Sequence, residues 1–91
     1  MTSAELLDRS WRVSPGVSVR PESFGALLYH FGTRRLSFLK DRRLLAAVEA
    51  LPASGTARQA CAAAGIPDPE LPAYARALAQ LAATDMIQER P

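Results

Sequence analysis

Along the first half of the chain apolar residues alternate with polar ones, and along the second half they recur every three or four positions. A period of two belongs to a half-buried strand, and a period near 3.6 to a helix with one buried face. Residues 1–10 offer only Ala4, Leu6 and Leu7, too few for a helix standing alone, and read as a flexible lead-in to one domain over residues 11–91. Residues 11–13 form a short extended piece before a Ser14-Pro15-Gly16 turn. Val17, Ser18, Val19 and Arg20 alternate as a strand, which Pro21 and Glu22 end. The next strand covers residues 25–31. Gly32 and Thr33 then suit a type II′ turn, which sets Tyr29 opposite Leu36 and Leu27 opposite Phe38. In that register Leu27, Tyr29, Phe31, Leu36 and Phe38 share the more apolar face, the expected floor for the helices. Leu28, His30, Arg35, Ser37 and Leu39 share the other, expected to be partly solvated.

Asp41 is placed to cap a helix whose Leu44, Leu45, Val48 and Leu51 form one stripe, stopped by Pro52. The spacing of Thr56 and Gln59 is that of a capping box, so a short helix runs to Ala64 and ends at Gly65. Asp68 and Pro69 open a third helix with Leu71, Tyr74, Ala75, Leu78, Leu81 and Ala82 on its apolar side. Met86 and Ile87 suggest a small closing strand or wing. Strands first and helices afterwards predict an α+β domain, a three-stranded antiparallel sheet followed by three helices.

Composition narrows the chemistry. A chain of 91 residues has room for one small core and shallow working surfaces, not for a deep cleft between lobes. Its single cysteine, Cys61, sits in an alanine-rich helix without an adjacent base, and packing explains it better than reactivity. His30 has no nucleophile or carboxylate near it in sequence, the carboxylates are scattered, and no glycine-rich phosphate loop is present. These absences predict a protein that is not an enzyme and holds no cofactor or metal. No secretory signal or membrane-length apolar run is visible, so a cytoplasmic protein without a membrane partner is expected.

Charge is uneven. Arg34, Arg35, Lys40, Arg42 and Arg43 stand against Asp41 alone. Such a cluster can simply guard an exposed strand edge. It can also flank an edge that receives an acidic peptide as an added strand, or a second copy of the chain. The residues 56–83 have the proportions of a helix-turn-helix, which keeps a winged-helix nucleic-acid-binding protein as the alternative reading. Against it, the second helix offers only Arg76 and Gln80 beside Glu70, little charge for phosphate neutralisation.

The particular residues carry a resemblance. Trp11 followed by Pro15, ValArgProGlu at 19–22, PheGlyAlaLeuLeuTyrHisPhe at 24–31 and ArgLeuSerPheLeu at 35–39 resemble the small peptide chaperones of mycofactocin biosynthesis. More broadly the layout is similar to the RiPP recognition element, which also occurs as the pyrroloquinoline quinone peptide chaperone. The resemblance implies a winged-helix-like fold of three strands and three helices. It implies capture of the acidic leader of a ribosomally made precursor peptide and delivery to a radical SAM maturase, with no nucleic acid involved. It also implies that the leader adds beside the third strand, in a groove shared with the third helix. On this chain the strand side is Arg35, Leu36, Ser37, Phe38, Leu39 and Lys40, with Arg43 following, and the helix side is Leu71, Tyr74, Ala75 and Leu78.

Overall fold

The alternating first half folds as an antiparallel sheet of β2 (Val17–Glu22), β3 (Gly25–His30) and β4 (Arg35–Leu39), in the order β2-β3-β4. The structure, a computed structural model, describes residues 2–90. Before the sheet come α1 (Ser3–Leu7) and β1 (Trp11–Val13); after it come α2 (Arg42–Ala50), α3 (Ala57–Ala63), α4 (Leu71–Ala83) and β5 (Ile87–Glu89). The architecture is α+β, with a three-stranded antiparallel sheet followed by helices.

The helices form where the caps ask for them. Asp41 accepts from the backbone N–H groups of Arg43 and Leu44 at the start of α2. The Thr56–Gln59 capping box opens α3, and Gly65 follows that helix with a φ of 79°, the left-handed form that glycine adopts freely. Asp68 and Pro69 do not begin the α-helix directly: a short 3-10 turn, Asp68–Glu70, precedes α4.

Several sequence expectations need correcting. The first concerns residues 1–10, where α1 is capped by Thr2 and buries Leu6 and Leu7. A five-residue helix gains too little alone, but this one packs on α4, and the Trp11 indole N–H donates to the Leu6 carbonyl at 2.9 Å. The second concerns the β3–β4 turn. The register is the expected one, with Tyr29 opposite Leu36 and Leu27 opposite Phe38. Yet Gly32 is not the left-handed residue; Arg34 is, at φ 61°, and its N–H donates to the His30 carbonyl at 2.7 Å. The His30 ring Nδ1 accepts from the N–H groups of Gly32 and Thr33, so a side chain ties the loop.

The third correction reverses the sheet. The helices cover Ala26, Leu28, His30 and Leu39, all buried, while Phe31, Leu36 and Phe38 are 64, 54 and 59% exposed. The β2–β3 register explains the reversal: Val17 pairs with His30 and Val19 with Leu28, so the apolar side of β2 joins the Leu28 face, not the Phe31 face. Ala26 and Gly25 let the chain after β4 come close; a Cβ on Gly25 would lie 1.9 Å from the Leu39 carbonyl oxygen and 2.9 Å from the Asp41 nitrogen. Under this face lie Leu44, Ala47, Val48 and Leu51, then Ala57, Ala60 and Cys61, then Leu71, Tyr74, Ala75, Leu78 and Leu81. Pro21 does not end β2; opposite Ala26 on an edge strand, its missing N–H falls on the unpaired side. At the far end β5 pairs antiparallel with β1, Ile87 opposite Val13 and Glu89 opposite Trp11.

Candidate functional site

Which groups of β4 are free follows from the alternation of hydrogen bonds across an antiparallel sheet. The Phe31 N–H donates to the Gly16 carbonyl at 2.9 Å, so odd-numbered residues of β3 bond toward β2 and even-numbered ones toward β4. Leu28 stands opposite Ser37 and Ala26 opposite Leu39, which turns the backbone groups of Ser37 and Leu39 into the sheet. Those of Leu36 and Phe38 therefore point outward, where β4 has no neighbouring strand among the described residues. This is an open edge with two residues presenting N–H and C=O groups to an incoming strand.

Beyond the end of that edge lies a cleft of about 440 Å³ between the segment that opens α2 and the N-terminal part of α4. Lys40, Asp41, Arg43 and Leu44 form one wall, and Glu70, Ala73, Tyr74 and Ala77 the other. The walls are tied together. The Tyr74 hydroxyl donates to Asp41, whose other carboxylate oxygen caps α2. The Arg43 guanidinium donates to both oxygens of Glu70, at 3.2 and 2.7 Å, and stands 5.5 Å from the centre of the Tyr74 ring. Partial burial pushes the Asp41 carboxyl up, but the Tyr74 hydroxyl, the two capping N–H groups and the Arg43 charge together hold it below its ordinary value. The bond to Asp41, reinforced by burial, pushes the Tyr74 hydroxyl above its own.

The structure sorts the candidate residues. Arg35, Leu36, Phe38 and Lys40 are exposed along the edge, Ser37 is half-buried, and Leu39 is buried beneath the helices. Of the helix-side set only Tyr74 borders the cleft. Leu78 lies in the core, and Leu71 and Ala75 line a separate cleft of about 580 Å³ with Leu7, Pro72, Arg58 and Arg76. Glu70, Ala73 and Ala77 form the stripe that faces the start of α2, displaced one residue from the apolar stripe that sequence makes visible. Two of the five cations are already engaged: Arg43 by Glu70 and Arg42 by the Ser23 carbonyl. Arg34, Arg35 and Lys40 are exposed and form no ion pair among the described residues.

Other chemistry is not assembled. Cys61 is buried, and burial raises its thiol pKa. Among the described residues no three His, Cys, Asp or Glu side chains gather as metal ligands, and no helix is long and apolar enough to cross a membrane. His30 meets Asp85 at 3.2 Å, but its other nitrogen is occupied by the loop N–H groups, which makes it a structural tie.

Comparison with known proteins gives one consistent result. Residues 10–88 match the model of the peptide chaperone MftB family. The peptide chaperone MftB of Mycobacterium tuberculosis is 53% identical over 91% of this chain and 76% of its own length. Those of Mycobacterium ulcerans and Mycolicibacterium smegmatis are 55% and 50% identical, each over 88% of this chain and over 73% and 78% of their own lengths. No solved structure matches the chain.

Proposed function

Because the chain belongs to the peptide chaperone MftB family, a family of chaperones and not of enzymes, we propose that it binds the leader of a ribosomally made precursor peptide as a strand added along β4. It then presents that peptide, in the cytoplasm, to a radical SAM maturase in mycofactocin biosynthesis. The observation that carries this reading is the outward-facing backbone of Leu36 and Phe38 on an edge strand whose outer side has no strand beside it among the described residues. Strand addition derives its affinity from main-chain hydrogen bonds and its register from pockets for alternate side chains. The cleft below Lys40 and Tyr74 offers one such pocket, and exposed Arg34, Arg35 and Lys40 favour an acidic peptide. Arg43 contributes through Glu70 and Tyr74, by holding the cleft's walls, and not as a free cation. In the absence of peptide the same edge is open to a second copy of the chain, which the leader would displace.

Hydrogen-bond direction supplies the test. Leu36→Pro removes an outward N–H from an edge strand, where proline is tolerated, and should leave the fold intact while weakening leader binding about tenfold. Ser37→Pro removes an inward N–H paired with Leu28 and should destabilise the domain itself. Calorimetric titration with the leader and a thermal melt read the two effects separately. Leader affinity unaltered by Leu36→Pro in a folded protein excludes addition at β4.

A further inference from the structure

All three phenylalanines of the chain lie outside its core. Phe24, Phe31 and Phe38 are 46, 64 and 59% exposed, and Leu36 is 54% exposed. Phe31, Leu36 and Phe38 stand on the sheet face that the helices leave uncovered, with half-buried Leu27 and Tyr29 between them. Phe24 joins the group by packing on Phe38, with ring centres 6.3 Å apart, and Tyr29 meets Phe31 edge-on at 4.9 Å. At roughly 200 Å² for a whole aromatic side chain, these four exposed residues keep about 400 Å² of apolar surface in water. That matches the largest patch expected on a monomer of any size, on a chain of only 91 residues. The rings also brace one another, so little side-chain freedom remains to be lost on docking.

Charge identifies what fits. Arg20 is paired with Glu22 at 2.9 Å, whereas Arg34 and Lys40, on either side of the strand that carries Leu36 and Phe38, have no carboxylate partner among the described residues. A second copy related by a two-fold axis would set the same cation-flanked surface against itself, where the Glu22 carboxylate of this face is already paired with Arg20. The complementary surface has an apolar centre and an acidic rim. We propose that the uncovered aromatic face of the sheet is the surface on which the maturase docks, through an apolar patch rimmed by carboxylates. The proposal rests on the reading of this chain as a chaperone that hands its peptide to a maturase. It adds a geometric consequence: Leu36 and Phe38 give their backbone to the edge and their side chains to the face. A leader added along β4 therefore continues the docked surface, and its alternate side chains point toward the maturase.

The full chain is titrated by calorimetry against its maturase without peptide and, separately, against the leader. Phe31→Glu should weaken maturase binding at least about 100-fold, and Phe24→Ser about tenfold, as for centre and edge of an interface. Both should keep leader affinity within about threefold, because neither residue belongs to β4. Amide NMR of the wild-type chain with maturase, which needs no variant to fold, should shift residues 27–31 and spare residues 57–64. Wild-type protein that does not bind the maturase, or variants that bind it normally, overturn the proposal. Loss of leader binding by Phe31→Glu with maturase binding retained assigns the face to the peptide instead. A wild-type dimer in sedimentation that Phe31→Glu dissociates assigns it to a second copy. Failure of the wild-type chain to bind leader defeats the proposed function but leaves the maturase titration to judge the face independently.

Discussion

Asp41 joins two parts of the molecule, and removing it should cost more than either part alone suggests. In Asp41→Ala, α2 loses its N-cap, worth about 1 kcal/mol. The Tyr74 hydroxyl loses a charged acceptor, a bond worth about 1.5 kcal/mol at the lower end of the range, since the cleft is open to water. The sum, about 2.5 kcal/mol, should lower the melting temperature by about 10–20 °C in a domain of this size. Asp41→Asn keeps the cap and should lose about 1 kcal/mol. Tyr74→Phe should cost about 1.5 kcal/mol, and once Asp41→Ala is present it should cost little more. Denaturant unfolding of the two single variants and the double variant measures the coupling, expected at about 1–1.5 kcal/mol. Additivity within about 0.3 kcal/mol means that the hydroxyl and the carboxylate do not interact, and the link between the start of α2 and α4 fails. The pH dependence provides a second readout. Asp41 is held below its ordinary carboxylate value, so its contribution is complete above about pH 4 and is lost as pH falls through the lower folded value. Tyr74 is shifted the opposite way, so its contribution is complete below about pH 10 and is lost as pH rises through the higher folded value. Asp41→Asn should flatten the acid limb and Tyr74→Phe the alkaline one.

Gly25→Ala should cost about 3 kcal/mol or more, because its Cβ would meet the Leu39 carbonyl at 1.9 Å and its φ is 147°; failure to express folded protein, or a large fall in denaturation midpoint, is the readout. His30→Phe leaves the loop N–H groups of Gly32 and Thr33 without their acceptor, and should cost about 1–3 kcal/mol with faster amide exchange at those two positions. Glu70→Gln should loosen the Arg43 guanidinium and weaken leader binding at the cleft while leaving the core intact, which a titration beside a thermal melt will show.

Much of the fold was legible because local chemistry agrees with it. The caps at Asp41 and Thr56 and the left-handed Gly65 form as their residue types require, and the register of Leu27 with Phe38 is the expected one although a different turn, with Arg34 left-handed, sets it. The face of the sheet was misread because Phe31, Leu36 and Phe38 outweigh Ala26, Leu28 and His30 in apolarity, and the deciding fact, Val17 and Val19 siding with Leu28, depends on a β2–β3 register hidden by Pro21. Burial follows from which side α2 can approach, and small Ala26 admits it where an aromatic ring would not. The site was half legible. Its strand edge follows from sequence alternation, but the helix wall does not. Glu70, Ala73 and Ala77 look like ordinary exposed helix positions until the fold sets Arg43 against Glu70 across the cleft. The α1 helix was invisible because what holds it is α4, many residues away.

The ribbon of β1 and β5 also sets the order in which the molecule can be completed. Trp11 stands opposite Glu89 and the Arg90 N–H reaches the Ser10 carbonyl, so this pairing spans nearly the whole chain. The entropy of closing so long a loop is recovered only once the intervening elements already hold the ends together. During synthesis the β2–β3–β4 hairpins can form as they emerge, whereas β1 must wait for the last residues before it finds a partner. The open edge of β4 is thus available early, and the clasp that joins the two ends of the chain closes last.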